Sequence, residues 1–224
     1  MQYNIHEIID RSSNLKYFMT KSEICLPIKF YGREYTVRID SSLSQEKING
    51  IFRLFLTFFK ERESRNMVIP VLQNGDLFID VGASYGSWTL PAAAIGADVM
   101  VIEPDTKALE FLRHQLDVNG FSNVNLIESI ADNDKNSIDR LKPRRVKLIK
   151  IDVEGMEFDV LDGARNTIKK YKPNILVELH TFKHGKTPDY EIEVITDIYS
   201  GYRSSVYDQK TLGDQEFWHI YHYL

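Results

Sequence analysis

Residues 78–86 read FIDVGASYG, and this short stretch decides the fold. An apolar run leads into Gly82 and Gly86, and small apolar residues follow, so the pattern predicts a strand, a glycine turn and a helix. Glycine at position 82 permits a tight turn and a close approach of the backbone to a ligand, and Gly86 lets the start of the helix lie against that turn. The spacing is G-x-x-x-G, which differs from the G-x-G-x-x-G of dinucleotide-binding proteins.

Strands and helices alternate downstream of this turn. The predicted strands are 77–81, 98–103, 124–127, 146–151 and 175–179, and the predicted helices are 89–95, 106–119, 157–171 and 191–200. Such alternation implies parallel pairing through right-handed crossovers. Two aromatic-rich strands, 202–207 and 217–223, follow, and the nine residues between them are too few for a crossover, so they form an antiparallel hairpin. The predicted fold class is therefore α/β, with helices on both faces of a mostly parallel sheet, as in class I methyltransferases.

The N-terminal part has a different pattern. Residues 26–30 and 34–39 flank Tyr31-Gly32-Arg33, which predicts a hairpin, and apolar residues at helical spacing predict a helix in 45–72 that Pro70 kinks. We therefore expect a small α+β lobe over 1–72 and a cofactor-binding domain over 73–224. A chain of 224 residues fits one domain with an attached lobe.

Composition and charge exclude several classes. The net charge is −4 with a pI near 5.9, which gives no overall attraction to nucleic acid. Cys25 is the only cysteine in the sequence, so a disulfide framework and a cysteine zinc cage are excluded. No apolar stretch is long enough to span a bilayer, and residues 1–10 lack the apolar centre of a signal peptide, so we expect a cytoplasmic protein without a membrane partner.

One basic cluster is the feature of this sequence most typical of an RNA-binding surface. It consists of Arg140, Lys142, Arg144, Arg145 and Lys147. The cluster precedes the strand 146–151 and therefore lies at the amino edge of the sheet, opposite the ligand crevice. We interpret it as a solvated loop, and no nucleic-acid partner is expected.

The second strand ends at Glu103, 21 residues after Gly82, and Pro104 follows. An acidic side chain at this place can accept hydrogen bonds from both ribose hydroxyls of an adenosyl group. A carboxylate that is merely exposed at a strand end is the alternative. The combination of glycine turn and acidic residue at this distance favours a nucleoside-bearing cofactor.

Four further donors follow the next two strands. Asp152 and Glu154 come after strand 146–151, and Glu178 and His180 end strand 175–179; each pair shares a face if the chain is extended. His180 can serve as a general base near neutral pH, and a structural histidine is the alternative. Helix capping is the other interpretation of the acidic residues, and we assign that role to Glu157. The four donors could also hold a divalent ion, but no tight ligand motif is present and no metal is predicted.

Four blocks of the sequence together resemble the FkbM family of methyltransferases. They are FIDVGASYG at 78–86, IEPD at 102–105, IKIDVEGME at 149–157 and VLDGA at 160–164. The resemblance covers about residues 60–207, and Ser84 stands where family members often have Asn. It implies a class I fold, S-adenosylmethionine as the cofactor, and O-methylation of a hydroxyl on a sugar or other small molecule.

Positions along the chain, taken with this cofactor, assign expected roles to individual residues. Glu103 would hold the ribose, Asp80 and the 82–86 backbone the methionine end, and Ser129-Ile130 would lie against adenine. The full expected set for the cofactor is Asp80, Gly82, Ala83, Ser84, Tyr85, Gly86, Glu103, Pro104, Ser129, Ile130 and Asp152, and the expected catalytic set is His180, Asp152, Glu154 and Glu178. RNA or protein methylation, a nicotinamide-dependent oxidoreductase and a cofactor-binding module without catalysis are the alternatives.

Overall fold

The structure, a computed structural model, describes residues 18–19, 23–30, 33–40, 50, 53–54, 57–58, 60–212 and 215–224. Within them the strands are β1 (Phe18–Met19), β2 (Glu23–Phe30), β3 (Arg33–Asp40), β4 (Leu77–Val81), β5 (Asp98–Glu103), β6 (Val124–Glu128), β7 (Val146–Ile151), β8 (Asn174–His180), β9 (Arg203–Leu212) and β10 (Gln215–Tyr223). The helices are α1 (Arg62–Val68), α2 (Thr89–Ile95), α3 (Thr106–Asn119), α4 (Ile138–Leu141), α5 (Glu157–Asp162), α6 (Arg165–Tyr171), α7 (Thr181–His184) and α8 (Pro188–Ile198), and a 3-10 turn spans Ile69–Val71.

The central sheet has seven strands in the order β6-β5-β4-β7-β8-β10-β9. Strands β4 to β8 pair in parallel, and β10 lies antiparallel between β8 and β9. Apolar runs such as β7 are buried because helices cover both faces of a parallel sheet. The predicted fold class, a mostly parallel sheet closed by an antiparallel hairpin in the class I methyltransferase arrangement, is confirmed.

Side chains alternate between the two faces of the sheet and fill two separate apolar clusters. Phe78 and Leu148 contribute to one cluster, and Ile79 and Ile149 contribute to the other. Leu54 and Phe58 join the cluster of Phe78, so the segment before α1 packs on that face.

The predicted N-terminal hairpin exists as the antiparallel pair β2 and β3 in a separate three-stranded sheet, β1-β2-β3. Strand β3 contacts α2 and α3 of the larger unit. The turn residues 31–32 and residues 45–49, 51–52, 55–56 and 59 of the predicted helix lie outside the described residues. The division into 1–72 and 73–224 stays a prediction.

Several predicted element boundaries were wrong. The helix predicted over 157–171 is two helices, because the carboxylate of Asp139 accepts hydrogen bonds from the backbone of Asn166 and Thr167 and so starts α6. The loop predicted over 208–216 is shorter in the structure, because Leu212 pairs with Gln215. The backbone hydrogen bonds between the two strands continue beyond the apolar residues from which the strands were predicted. The short helices α4 and α7 were missed. Among the described residues, no helix has both the length and the apolar character that a bilayer crossing requires.

Candidate functional site

A cavity of about 1250 Å³ opens at the carboxyl ends of the parallel strands. Single small-molecule sites typically measure about 300–1,000 Å³, so this cavity has room for two ligands side by side. The predicted residues that line it are Gly82, Ser84, Tyr85, Glu103, Pro104, Ser129, Ile130, Asp152, Glu154, Glu178 and His180.

Three residues of the expected cofactor set do not line this cavity. The carboxylate of Asp80 is fully buried beneath the glycine turn, where the hydroxyl of Thr89 donates to it at 2.6 Å. Burial raises the pKa of Asp80, and Lys150 and Thr89 offset part of that rise. Ala83 is buried, and Gly86 packs so closely on Leu112 that a Cβ there would lie 2.5 Å from its Cδ1 atom. These residues support the turn from below, because Asp80 lies inside β4 and not at its end.

The glycine turn is fixed by a close contact with β7. Gly82 has a φ of +73°, and a Cβ at this position would lie 1.8 Å from the backbone oxygen of Asp152. No side chain fits there, so glycine is required by packing as well as by backbone conformation. The backbone N–H of Gly82 donates to the carbonyl of Ile102, which joins the turn to β5 as well.

Glu103 connects the two cofactor elements that the sequence predicted. Its side chain is 7% exposed, and it accepts hydrogen bonds from the backbone N–H of Ser84 at 2.8 Å and of Asp105 at 2.9 Å. A carboxylate has about four lone-pair sites, so two backbone donors leave acceptor capacity toward the cavity. The backbone of Ser129 follows directly, since its N–H donates to the carbonyl of Glu103.

Asp152, Glu178 and His180 form a compact group at the floor of the cavity, which we call the three-donor cluster. One ligand atom from each residue lies within 4.8 Å of the other two. His180 Nε2 is 3.9 Å from Asp152 Oδ1 and 4.0 Å from Glu178 Oε1. The parallel neighbours β7 and β8 bring these residues together, as the sequence predicted from strand order.

Protonation in the cluster follows from burial and charge. Burial opposes the charged imidazole of His180, but the hydrogen bond to Glu157 and the carboxylates of Asp152, Glu157 and Glu178 outweigh it and raise the pKa of His180. Burial also raises the pKa of Asp152 to about 7, although Lys150 opposes the rise. A raised pKa makes the imidazole hold its proton to higher pH, and the role of His180 as a general base stays a prediction.

Two interpretations of nearby residues change. Glu154 has a φ of +50° in a turn, so the premise that it shares an extended face with Asp152 is wrong, although both line the cavity. Glu157 is the first residue of α5, and no side-chain capping bond forms at the start of that helix, so its predicted capping role is wrong. Its Oε1 atom accepts a hydrogen bond from the backbone of Gly155 and lies 2.7 Å from His180 Nδ1.

Sequence reasoning missed two residues that hold the cluster. Lys150 is 4% exposed, and its ammonium donates to Gly82 O and to Asp152 Oδ2, both at 3.1 Å. His219 Nε2 lies 2.6 Å from Glu178 Oε2, and its Nδ1 lies 3.0 Å from the hydroxyl of Ser64. Lys150 lies two positions before Asp152, and this period-2 spacing could have indicated that both side chains lie on one face of the sheet. No sequence pattern indicates the register of β10 that places His219 beside Glu178.

The far wall of the cavity comes from the segment before α1, which the sequence analysis assigned no role in the site. Arg53, Thr57, Lys60 and Glu61 line it. The carboxylate of Glu61 accepts a hydrogen bond from the indole N–H of Trp88, which ties this segment to the start of α2.

Comparisons with known proteins agree with this fold. A FkbM methyltransferase from Methylobacillus flagellatus superposes with a TM-score of 0.59 at 18% identity, covering 81% of this chain and 56% of its own. This chain therefore spans little more than half of that protein. An rRNA methylase from Streptococcus thermophilus (TM-score 0.55, 12% identity, 71% and 93% covered) and TYW2 of M. jannaschii in complex with AdoMet (0.50, 16%, 92% and 86%) share the fold.

From the sequence we expected no nucleic-acid partner. Because an rRNA methylase shares this fold, the comparisons do not support that expectation. No curated protein matches the chain in sequence. The family model "Methyltransferase FkbM domain" matches residues 134–203, which include β7, the three-donor cluster and α8. The resemblance to the FkbM methyltransferases is thereby confirmed.

Proposed function

We propose that this protein transfers a methyl group from S-adenosylmethionine to a hydroxyl oxygen of a sugar or another small molecule. The observation that carries the proposal is the position of Glu103, whose carboxylate is bound to the glycine turn and faces a cavity large enough for cofactor and acceptor together. S-adenosylmethionine would supply a methyl group already activated on a positively charged sulfur.

The residues present fit that cofactor. Glu103 retains acceptor capacity for ribose hydroxyls, and Ser129 and Ile130 lie in the same cavity at the end of β6, where adenine is expected. The exposed side chain of Ile130, 52% accessible, offers an apolar surface for a base. Ser84 and Tyr85 line the part of the cavity formed by the glycine turn, where the methionine end would lie.

Catalysis would come mainly from alignment. Methyl transfer is an in-line displacement, so holding acceptor oxygen, methyl carbon and sulfur in line supplies much of the rate. The acceptor would lie between the three-donor cluster and the wall formed by Arg53, Thr57 and Lys60. The hydroxyl of the acceptor would lose its proton beside the cluster, where two carboxylates and an imidazole converge.

Calorimetric titration with S-adenosylmethionine, S-adenosylhomocysteine and NAD tests the cofactor. We expect heat of binding from the first two and none from NAD; absence of heat with both methionine derivatives would overturn the assignment. A second assay measures release of S-adenosylhomocysteine with hydroxyl acceptors and with RNA, and mass spectrometry of the product locates the methyl group. Methylation of RNA alone would contradict the small-molecule acceptor.

A further inference from the structure

We propose that the three-donor cluster is a binding site for a divalent cation of the Mg²⁺ or Mn²⁺ type. One ligand atom from each of Asp152, Glu178 and His180 lies within 4.8 Å of the other two, and all three residues line the cavity. An ion bonded at about 2.1–2.2 Å can bridge donors up to about 4.3 Å apart, and the separations of 3.9 and 4.0 Å from His180 fall inside that limit.

Each of the three donors is held from behind by a second residue. Glu157 lies against Nδ1 of His180, His219 against Oε2 of Glu178, and Lys150 against Oδ2 of Asp152. A carboxylate accepts hydrogen bonds, so Nδ1 of His180 carries the hydrogen and Nε2 is directed at the two remaining oxygens. Metal-binding histidines and carboxylates are typically oriented by such partners. The arrangement is therefore more than a group of acidic side chains that happen to be close.

The charge around the site also favours a cation. Asp152 and Glu178 belong to the cluster, and Glu157 is paired with its His180. The ammonium of Lys150, shared between Asp152 and the buried Asp80, is the only lysine or arginine cation in these described ion pairs. When Asp152 is ionised and the histidines are neutral, this leaves an excess of negative charge in a largely buried environment, which is costly unless it is compensated. A proton on His180 is the rival compensation, and it would occupy the same space as the ion.

The donor set indicates which ion. Two carboxylate oxygens and one imidazole nitrogen, without a thiolate, suit Mg²⁺ and Mn²⁺. Three protein donors leave other coordination positions for water or for a hydroxyl oxygen of the acceptor.

The consequence for the reaction rests on the proposed function. Carboxylates alone oppose negative charge on the acceptor oxygen, whereas a divalent cation bound to that oxygen lowers the pKa of its hydroxyl. The O–H proton then passes to water in the open cavity. The oxygen forms a bond to the methyl carbon, the carbon–sulfur bond breaks, and its electron pair stays on sulfur.

Binding of the ion is measured without the cofactor or an acceptor. Titration of the full chain with MnCl2, followed by electron paramagnetic resonance, should show one ion bound per chain below about 1 mM. Glu178→Gln and Asp152→Asn should each weaken binding about tenfold or more. Glu110→Gln, which changes another acidic residue lining the cavity, should leave it unchanged. Circular dichroism of each variant checks that it is folded.

A second measurement covers the case in which the cluster variants do not fold. In the wild-type protein, bound Mn²⁺ should broaden the imidazole NMR signals of His180 before those of His222, which pairs with Glu191 and Ser204 away from the cavity. No bound ion at about 1 mM, or equal broadening of both histidines, overturns the metal site. S-adenosylmethionine binding without Mn²⁺ binding would refute this inference alone, and the reverse would refute the proposed function alone.

Discussion

Replacing Glu103 by alanine tests the cofactor site most directly. The carboxylate is buried, so its hydrogen bonds to two ribose hydroxyls would form away from bulk water and their loss should cost about 1–3 kcal/mol. That range corresponds to a Kd for S-adenosylmethionine raised about 5- to 150-fold. The cost to stability should be smaller, about 1 kcal/mol, because Ser84 and Asp105 are not buried and water can replace the lost acceptor for their N–H groups.

Glu128→Ala is the matched control. Glu128 is the register partner of Glu103 at the end of the neighbouring strand, but it is exposed and binds the hydroxyl of Thr106 instead of lining the cavity. Isothermal titration calorimetry should show an unchanged Kd for this variant. A Kd of Glu103→Ala within about twofold of the wild type, or an equal weakening of binding by Glu128→Ala, would refute the proposed role of Glu103. Asp152→Ala should weaken cofactor binding far less than Glu103→Ala, because Asp152 is proposed to serve the acceptor.

Three further predictions concern stability. Gly82→Ala and Gly120→Ala both place a Cβ at positive φ, which costs about 1–2 kcal/mol, but only the Cβ at position 82 also collides with a backbone oxygen. Urea denaturation should therefore show a clearly larger loss of unfolding free energy for Gly82→Ala. Equal losses for the two variants would contradict the close packing of Gly82 on β7. Lys150→Met should lower the free energy of unfolding by about 3–5 kcal/mol, since it removes the cation between two carboxylates; a loss below about 1 kcal/mol in guanidinium denaturation would count against that role. Burial raises the pKa of Glu191, and this rise exceeds the lowering of the pKa by the hydrogen bond to His222. The folded chain therefore keeps a proton that the unfolded chain releases at about pH 4.3. Stability therefore falls as pH rises from there through the folded pKa, and Glu191→Gln should remove this fall from the dependence of Tm on pH.

The sequence predicted the sheet well because strand and helix patterns are local. The strands 77–81, 98–103 and 146–151 have the predicted bounds, and glycine turns and buried apolar runs leave a direct trace in residue order. The short connection between the last two strands identified the terminal hairpin. The length of its strands could not be predicted, because the backbone hydrogen bonds between strands do not depend on side-chain type.

The candidate site was predictable only as far as strand order determines it. Parallel neighbours deliver Asp152 and His180 to one edge, and the structure places them together. The roles of Glu157 and His219 depend on side-chain contacts between elements 23 and 41 residues apart in the sequence, which no local period encodes. Asp80 is buried because it lies within the strand. The motif alone did not show whether Asp80 lies within the strand or at the cavity wall.

The ammonium of Lys150 has a consequence for how two ligands would influence each other. It binds the carbonyl of Gly82 on the cofactor side and the carboxylate of Asp152 on the acceptor side, so a displacement of either partner alters the field at the other. Affinities linked in this way are reciprocal: if the first ligand strengthens binding of the second by some factor, the second must strengthen binding of the first by that same factor. The order in which the two enter the cavity can then change the kinetics of the cycle, but it leaves the free energy of the ternary complex the same.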